Sequence, residues 1–405
     1  MVTSMMHVLP AKIEPVEEQI SETIFEKTFQ RIFTALKIFG FSPTVPSVLK
    51  TRDRRCSAWQ VLSLCYGGVI LLYSILSIIR TCYGMVFGES GFLFYLRVCI
   101  AVWMTRCFLH SFNVMKIMTS NNGKRSKLFA IVKQLDENIG RDTMRNCKKE
   151  VERYKRRSKF LIIIIFGVVI MSTTSIATAL FIGDSGKMFV LTMLYPFQDQ
   201  VAYKLLYIFM TLHMNVAWMA PNLLYDSVCD SLVLKLNFLE DKLASLSENL
   251  TVRDHISEIR QMYLKTTRLV GEVDAMFGPM VMFVYVFDIA LFSLNLYISL
   301  YVARSFLEHF CVWFWILGAL VNLLVVSFDA SRVVEKGKEV VEQLQRLSPK
   351  GADPQATAEL SLLLFHLSGE PIVMTIWSLI PLYKSIIVSV FISLITYFTL
   401  LLQFK

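Results

Sequence analysis

Charged side chains are scarce in this chain. Only 18% of its 405 residues are Asp, Glu, Lys or Arg, whereas soluble domains usually have about 25%. Glycine and proline are also few, at 17 and 11 residues, which disfavours a loop-rich β fold. By contrast, 55% of the residues are hydrophobic and the mean hydropathy is +0.53. These values exclude a disordered chain, a nucleic-acid-binding domain and an ordinary cytosolic enzyme, and they favour a helical protein that crosses a membrane several times.

The sequence also lacks the patterns that indicate catalysis, metal binding or disulfide bonds. Its six histidines form no HExxH spacing, and there is no Walker loop and no GxSxG. Most of its eight cysteines lie in apolar stretches, and none forms a CxxC pair. We therefore predict no enzymatic activity, no catalytic or metal-binding residues, no cofactor and no disulfide framework.

Seven stretches are apolar over the roughly 20 residues that a membrane-spanning helix needs. The fourth is the weakest, because it contains His213, Asn215, Pro221 and Asn222. The sequence thus predicts an all-α protein with seven transmembrane helices. The predicted spans are 58–79, 92–118, 160–182, 200–225, 277–303, 307–328 and 385–404.

The positive charges alternate between the predicted loops. The segments 1–55, 119–159, 226–276 and 329–384 hold 8, 13, 6 and 6 Lys and Arg residues, whereas the other loops hold only Lys187 and Arg304. Basic loops stay in the cytoplasm, so we predict a cytoplasmic N-terminus and an extracellular C-terminus. This orientation is the reverse of a G-protein-coupled receptor and argues against the alternative of a seven-span receptor that signals through a partner protein. A secondary transporter is disfavoured because no internal repeat is apparent.

Amphipathic periodicity continues into the inner segments 127–135, 228–276 and 333–347. Two interpretations remain open: the spans simply extend into the cytosol, or these helices pack into an anchor between subunits. The sequon at Asn249 lies in an inner loop, so we predict that it is unmodified. The basic run 148–159 directly precedes the third span; we favour a role in setting topology, and such a cluster also attracts anionic lipid of the inner leaflet.

A stripe of small polar side chains follows one face of the last span. Its spacing of three or four residues keeps it on one side of a helix. It is explained either by helix packing through small hydroxyls or by a water-filled pathway lined with weak dipoles. The stripe consists of Ser385, Ser389, Ser393, Thr396, Leu400 and Gln403.

The final residues Thr396-Tyr397-Phe398-Thr399-Leu400-Leu401-Leu402-Gln403-Phe404 resemble the signature TYhhhhhQF (h, hydrophobic) that ends insect gustatory receptors. Thr399 is a mild departure from it. The length, the seven spans and the inside N-terminus agree with this family. The resemblance implies a tetrameric ligand-gated cation channel, in which the seventh helix lines a central pore and the other six form a peripheral bundle with an outward-opening ligand pocket.

Carried over by motif position, the resemblance assigns roles along the last helix. Phe404 would be the hydrophobic gate, and Gln403 a polar neighbour that rearranges on opening. Thr396 and Tyr397 would brace the helix against its neighbours. Residues 359–377 resemble a cytoplasmic anchor helix where subunits meet. The predicted pore residues are Ser389, Ser393, Thr396, Leu400, Gln403 and Phe404.

The resemblance also implies a division of the chain and a set of partners. We expect a cytoplasmic segment 1–57, a six-helix bundle 58–328, an anchor segment 329–384 and a pore helix 385–405. The expected partners are a small-molecule tastant, monovalent and divalent cations, membrane lipid, and three further copies or other gustatory receptor subunits, in the plasma membrane of sensory neurons. Phe398 stands where the sugar clade often has Glu, which argues against that clade and leaves bitter-type or fructose-type receptors. We favour a bitter plant compound as the ligand, with fructose or another sugar as the alternative.

Candidate ligand-binding residues lie in the outer halves of the predicted spans, where aromatic rings and a few polar groups suit a small organic molecule. A buried charge is costly in a membrane, so Arg97 and Asp288 must face the bundle and find partners; Asp288 is alternatively a structural acid paired with His213 or Tyr285. Some rings are alternatively part of an interfacial aromatic belt. The candidates are Arg97, Trp103, Thr178, Tyr207, His213, Asp288, Asn295, Tyr297 and Trp313.

Overall fold

The structure is a computed structural model. It describes residues 58–87, 92–118, 127–136, 148–181, 200–248, 252–303, 306–346 and 372–403, with a few positions between 29 and 39 and between 358 and 365. The sequon at Asn249, the predicted gate residue Phe404 and most of the predicted anchor helix 359–377 lie outside these residues.

Helices account for nearly all of the described chain. A π-helical turn, Ile298–Val302, directly continues the helix Val252–Tyr297. The helices are α1 Ala58–Phe87, α2 Phe92–Met118, α3 Lys127–Asp136, α4 Lys148–Phe181, α5 Val201–Glu248, α6 Val252–Tyr297, α7 Phe306–Arg346 and α8 Lys384–Gln403.

Six described helices are long and apolar enough to cross a membrane: α1, α2, α4, α6, α7 and α8. They cover most or all of six of the seven predicted spans. The fourth predicted span forms the first half of α5, whose 48 residues would extend over about 72 Å at 1.5 Å per residue. Because α5 carries many polar side chains, its crossing of the membrane remains a prediction.

The core lies around the middle of α5, and the outside of the bundle is apolar. Residues 213–218 and 220–232 of α5 are all buried, and α4, α6 and α7 pack against this helix. On the outside, Ile163 and Ile170 of α4 are 68% and 60% exposed. Apolar side chains with that exposure are stable in hydrocarbon, so the burial pattern agrees with a membrane-embedded bundle.

The predicted inner helices are confirmed as helices. The stretch 127–135 is α3, and the apolar stripe of 228–276 runs along the end of α5 and the start of α6. The stretch after residue 333 is the end of α7. Their packing between subunits stays a prediction.

A short β-hairpin, rather than a continuing helix, precedes α8. β1 (Thr375–Ile376) pairs antiparallel with β2 (Ile380–Pro381). The predicted anchor helix therefore does not cover residues 372–376: residues 372–374 have no regular secondary structure and Thr375–Ile376 form β1. Apart from this short hairpin, the described chain is helical, as predicted. Asp274 of α6 explains the hairpin: its carboxylate accepts hydrogen bonds of 2.6 Å from both the backbone N–H and the hydroxyl of Thr375.

The turn of this hairpin is strained. Trp377 and Ser378 have φ of 48° and 58°, in the left-handed region that costs a non-glycine residue about 1–2 kcal/mol. Gly278 of α6 makes room for the turn, because a Cβ there would lie 3.2 Å from the Cα of Trp377. Burial raises the pKa of Asp274, although the Thr375 hydrogen bonds oppose that shift.

We expect the variant Ser378→Gly to stabilise the protein by about 1 kcal/mol, because glycine adopts positive φ without strain. The measurement is the melting temperature of the purified protein in detergent. Leu379→Gly is the matched control: Leu379 is the next residue in the same turn and has no positive φ, so its replacement should give no gain. Equal shifts in both variants would contradict the strain argument.

Candidate functional site

On each of five helices, a pair of residues faces one buried region in the middle of the bundle. Within each pair the residues are three or four positions apart, so they share one face of their helix. Sequence alone places such pairs on a face but cannot say that the five faces meet. The pairs are Trp103 and Arg106 on α2, Ser172 and Ile176 on α4, Asn215 and Trp218 on α5, Asp288 and Leu291 on α6, and Trp315 and Gly318 on α7.

A pocket, which we name the aromatic pocket, lies where these faces meet. It encloses about 340 Å³, counting the part that opens to the surroundings. Trp103 and Trp315 stack across it with ring centroids 6.1 Å apart. Little of the space is wide enough for a water molecule, so a ligand requires these rings to move apart. The lining residues are Trp103, Ser172, Ile176, Asn215, Trp218, Leu291 and Trp315.

The wall of the aromatic pocket has one polar patch. The Ser172 hydroxyl donates to Oδ1 of Asn215 at 3.2 Å, and Nδ2 of Asn215 donates to the Thr173 hydroxyl at 3.2 Å. These bonds link α4 to α5 and fix the orientation of the amide. A few oriented polar groups in an otherwise aromatic wall are typical of a site that selects a small organic ligand.

A buried ion pair lies beside this pocket. Arg106 donates to Asp288, and the two side chains are almost completely buried. The guanidinium carbon also lies 5.8 Å from the ring centre of Trp218, which lines the pocket. Nε and Nη2 of Arg106 have no hydrogen-bond partner among the described residues.

The ion pair corrects the predicted partners of Asp288. His213 contacts the Tyr66 hydroxyl instead, and the Tyr285 hydroxyl bonds to Ser327 at 2.6 Å. The prediction that Asp288 faces the bundle and finds a partner is confirmed.

Gly318 of α7 allows Trp218 to occupy its position. A Cβ at residue 318 would lie only 2.6 Å from Cη2 of Trp218, so a larger residue must displace the indole toward the pocket. We expect Gly318→Ala to cost about 1–3 kcal/mol of stability through overpacking and to weaken the response to any ligand of the aromatic pocket. Melting temperature and a ligand dose–response curve measure the two effects.

Gly271→Ala on α6 is the control for this variant. A Cβ at residue 271 meets no atom within 4 Å among the described residues, so the substitution should be neutral or slightly stabilising. If Gly318→Ala behaves in the same way, Trp218 has more freedom than the packing indicates.

Three other predicted ligand-binding residues contact their own helix or a neighbouring helix. Arg97 is buried and donates to the backbone oxygen of Gly84 at 2.7 Å, which ties α2 to α1. Tyr207 is buried with the Arg80 guanidinium 5.7 Å from its ring centre. The Nδ2 of Asn295 donates to the carbonyl of Leu291 in its own helix.

Three predicted residues lie away from the aromatic pocket on exposed or separate surfaces. Thr178 and Trp313 are exposed on α4 and α7. The ring of Tyr297 stacks on that of Tyr301 at a centroid distance of 5.1 Å, and the ring of Tyr95 is tilted against it at 5.2 Å. Of the nine predicted residues, the structure thus brings Trp103 into the pocket and Asp288 beside it; the ligand-binding role of each stays a prediction.

The last helix, α8, has three distinct faces. Ile387 and Leu394 are buried against the bundle. A second face, with Val388 and Ile395, is apolar and exposed. The third carries the predicted polar stripe, which is exposed along its whole length; hydroxyls within it donate to carbonyls one turn earlier in the same helix. The exposed stripe residues are Ser385, Ser389, Ser393, Thr396, Leu400 and Gln403.

Two tyrosines connect the C-terminal end of α8 to α6 and its π-helical turn. The Tyr301 hydroxyl donates to the backbone oxygen of Leu401, one of the last carbonyls that an α-helix leaves without a partner. One turn earlier, the Tyr397 hydroxyl lies 3.5 Å from the backbone oxygen of Ser293. The π turn therefore contacts the part of α8 nearest to the predicted gate.

A charge cluster joins α4, α5 and α7 at the opposite end of the bundle. Arg157 lies 2.8 Å from both Asp226 and Asp329 and 3.2 Å from Asp230, and Arg332 also contacts Asp230. Burial and the neighbouring Asp226 raise the pKa of Asp230, against the opposing effect of Arg157. Both basic residues come from segments that the loop-charge argument places in the cytoplasm.

Sequence reasoning missed Arg106, Asn215, Trp218 and Leu291 as parts of the central region. The available signal was Arg106, a charged residue inside a predicted span, which implies a buried acidic partner. The pocket walls gave no comparable signal, because Leu and Trp are common in any membrane helix.

The fold and this site define a multi-pass helical membrane protein with a buried aromatic pocket and one weakly packed polar-striped helix. Residues 29–405 match the profile of the 7tm chemosensory receptor family. The chain therefore belongs to this family, which includes the insect odorant and gustatory receptors. No curated protein sequence matches the chain.

The fold is similar to that of the insect olfactory receptor OR5 from Machilis hrabei. Its structure in complex with eugenol has a TM-score of 0.76 and 14% sequence identity, over 94% of this chain and 99% of that chain. The structure of the same receptor described without eugenol has a TM-score of 0.74 and 15% identity, over 94% and 98%. At this identity the similarity establishes the shared fold.

Proposed function

We propose that the chain is a gustatory receptor subunit that forms a tastant-gated, non-selective cation channel, with α8 lining the pore. The observation that carries the proposal is the exposed polar stripe of α8. Only one face of this helix packs on its own bundle, and its hydroxyl face has no partner helix among the described residues. Four copies around one axis would turn these stripes toward a common pathway, where weak dipoles let cations pass without trapping them.

The ligand in this proposal binds in the aromatic pocket. Trp103 and Trp315 offer flat apolar surfaces, and Asn215 with Ser172 offers oriented hydrogen-bonding groups. The unpaired N–H groups of Arg106 suit an acceptor on a ligand that reaches past Trp218. This chemistry supports a small aromatic compound with one or two acceptor atoms, such as a bitter plant compound, better than a sugar with many hydroxyls. A sugar-gated channel of the same family is the alternative.

Gating follows from the contacts between α6 and α8. A ligand that separates the pocket walls displaces Leu291 and the outer part of α6. The π-helical turn carries that displacement to Leu401 through Tyr301. Moving the outer end of α8 toward its own bundle widens the ring at Phe404. The ligand shifts this equilibrium only by its difference in affinity between the open and closed states.

Whole-cell recording tests the proposal, in a cell line that has no other insect receptor and with G-protein signalling blocked. Panels of plant alkaloids and of sugars are applied separately to cells expressing this chain alone. We expect a prompt cation current to alkaloids. A current to sugars only would overturn the ligand class, and a response that disappears with G-protein block would overturn the channel.

The pore assignment has its own control in the same recording. In the variant Ser393→Cys, a cationic thiol reagent should block the current, because Ser393 lies on the polar stripe. Ile395→Cys places the thiol on the exposed apolar face about 200° around the helix at 100° per residue, and it should be insensitive. Block of both or of neither would contradict the assignment.

A further inference from the structure

A second pocket, which we name the inner groove, lies between α4, α5 and three residues near the N-terminus, Ile32, Leu36 and Phe39. It encloses about 350 Å³, counting the part that opens to the surroundings, and little of that space is wide enough for a water molecule, so an occupant requires its walls to move apart. Its walls are entirely apolar and include Leu36, Phe166, Val169 and Ala220. The adjacent face of α4, with Ile163 and Ile170, is exposed, so the inner groove lies beside the lipid-facing surface.

One end of the inner groove is closed near the middle of the bundle. The ring of Phe39, which lines it, packs against His213 and Phe166 with centroid distances of 5.8 and 6.3 Å. His213 in turn contacts the Tyr66 hydroxyl. The groove therefore ends where polar groups are already paired with each other.

The other end of the inner groove leads to an unpaired polar group and a positive charge. Ser158 and Lys159 precede Ile165 and Phe166 by two helical turns, so they lie on the same face of α4. Ser158 is 3% exposed, and its hydroxyl has no partner among the described residues. The Lys159 side chain is exposed.

The nearby carboxylates do not neutralise Lys159. Asp226 and Asp329 are each 2.8 Å from Arg157, and Arg332 contacts Asp230. Arg156 is a further exposed basic residue at this end. With Lys159 and Arg156 included, this end of the inner groove has four basic side chains against three carboxylates, an excess of one positive charge.

On α4 the lining of the inner groove runs from Ile165 to Val169, and Lys159 lies on the same face nearer the N-terminal end of the helix. From Lys159 to Val169, α4 rises about 15 Å at 1.5 Å per residue, which is half of a hydrocarbon core of about 30 Å. We propose that the inner groove holds an acyl chain of an anionic phospholipid from the cytoplasmic leaflet, with the phosphate bound by Lys159 and the Ser158 hydroxyl. This lipid site is separate from the aromatic pocket and does not depend on channel activity.

Native mass spectrometry of the full chain in detergent tests the proposal. The protein is titrated with palmitoyl-oleoyl phosphatidylserine or with phosphatidylcholine of the same chains. We expect one phosphatidylserine to be retained preferentially, and Lys159→Ala to weaken its binding about tenfold, as expected for loss of a charge-assisted contact. Ala220→Phe, which fills the inner groove, should abolish retention of that lipid.

A control variant and a control lipid show whether binding is specific to this site. Arg346→Ala removes an exposed positive charge at the far end of α7 and should leave phosphatidylserine binding unchanged. If it weakens binding as much as Lys159→Ala, the attraction is diffuse and the site is wrong. Equal retention of phosphatidylcholine and phosphatidylserine by the wild-type chain would also overturn the proposal. If Ala220→Phe does not fold, the surface variant Lys159→Ala still decides.

Discussion

Replacing Asp288 by Ala is expected to prevent the protein from reaching a stable fold. The substitution leaves the Arg106 guanidinium buried and without its partner, and breaking a buried ion pair in this way costs about 3–5 kcal/mol. That loss is a large part of the stability of an ordinary domain. Surface expression and the melting temperature of the purified protein are the measurements, and Arg106→Ala should have an equally large effect.

The double variant Arg106→Met, Asp288→Leu separates two effects on stability: the cost of leaving one buried charge without a partner, and the loss of the ion pair itself. It removes both charges while keeping apolar volume, so most of the lost stability should return. Glu335→Ala is the control for an exposed pair, because Glu335 and its partner Lys384 are 38% and 60% exposed; it should cost no more than about 1 kcal/mol. Single variants as stable as wild type would show that Arg106 and Asp288 are not coupled.

Replacing Phe404 by Ala is expected to produce a channel that conducts without ligand. The motif places Phe404 directly after α8, where a ring of aromatic side chains would close the pathway by excluding water. Removing the rings leaves a wider and more easily wetted opening. We expect a basal cation current several times that of wild type, measured in whole-cell recording at matched surface expression.

Leu402→Ala is the matched control for the gate. Leu402 is also a large apolar residue of the last turn, but it lies on the exposed apolar face of α8 rather than on the polar stripe. Its truncation should leave the basal current at the wild-type level. A basal current that is unchanged in Phe404→Ala would remove Phe404 from the gate.

The membrane helices could be predicted because their signal is local. A run of about 20 apolar residues is sufficient to indicate a spanning helix, and α2 begins and ends at the predicted residues, 92 and 118. The inner helices were predictable for a similar reason, since a 3.6-residue apolar repeat describes one face of one helix. The hairpin before α8 was not, because it depends on Asp274, a residue about 100 positions earlier in the chain.

The candidate site was predictable only in part. A charged residue within a span must be buried and paired, so the burial of Arg97 and Asp288 followed from their types. The identity of the partner did not follow, because Arg106, His213 and Tyr285 are all plausible by type and only their positions in the bundle distinguish them. His213 was expected in the outer pocket, yet it lies on the other side of α5 against Phe39 and Tyr66.

The sequence by itself determined that this protein lies in a membrane, where its apolar helices are and which face of its last helix is polar. Each of these features depends on composition or on residue spacing within one segment. Only the tertiary structure decided which helix faces meet. It brought Trp103 of α2 against Trp315 of α7 and paired Arg106 with Asp288. The physical reason is that the rotation of each helix about its axis is set by packing against all its neighbours at once, which no single segment encodes.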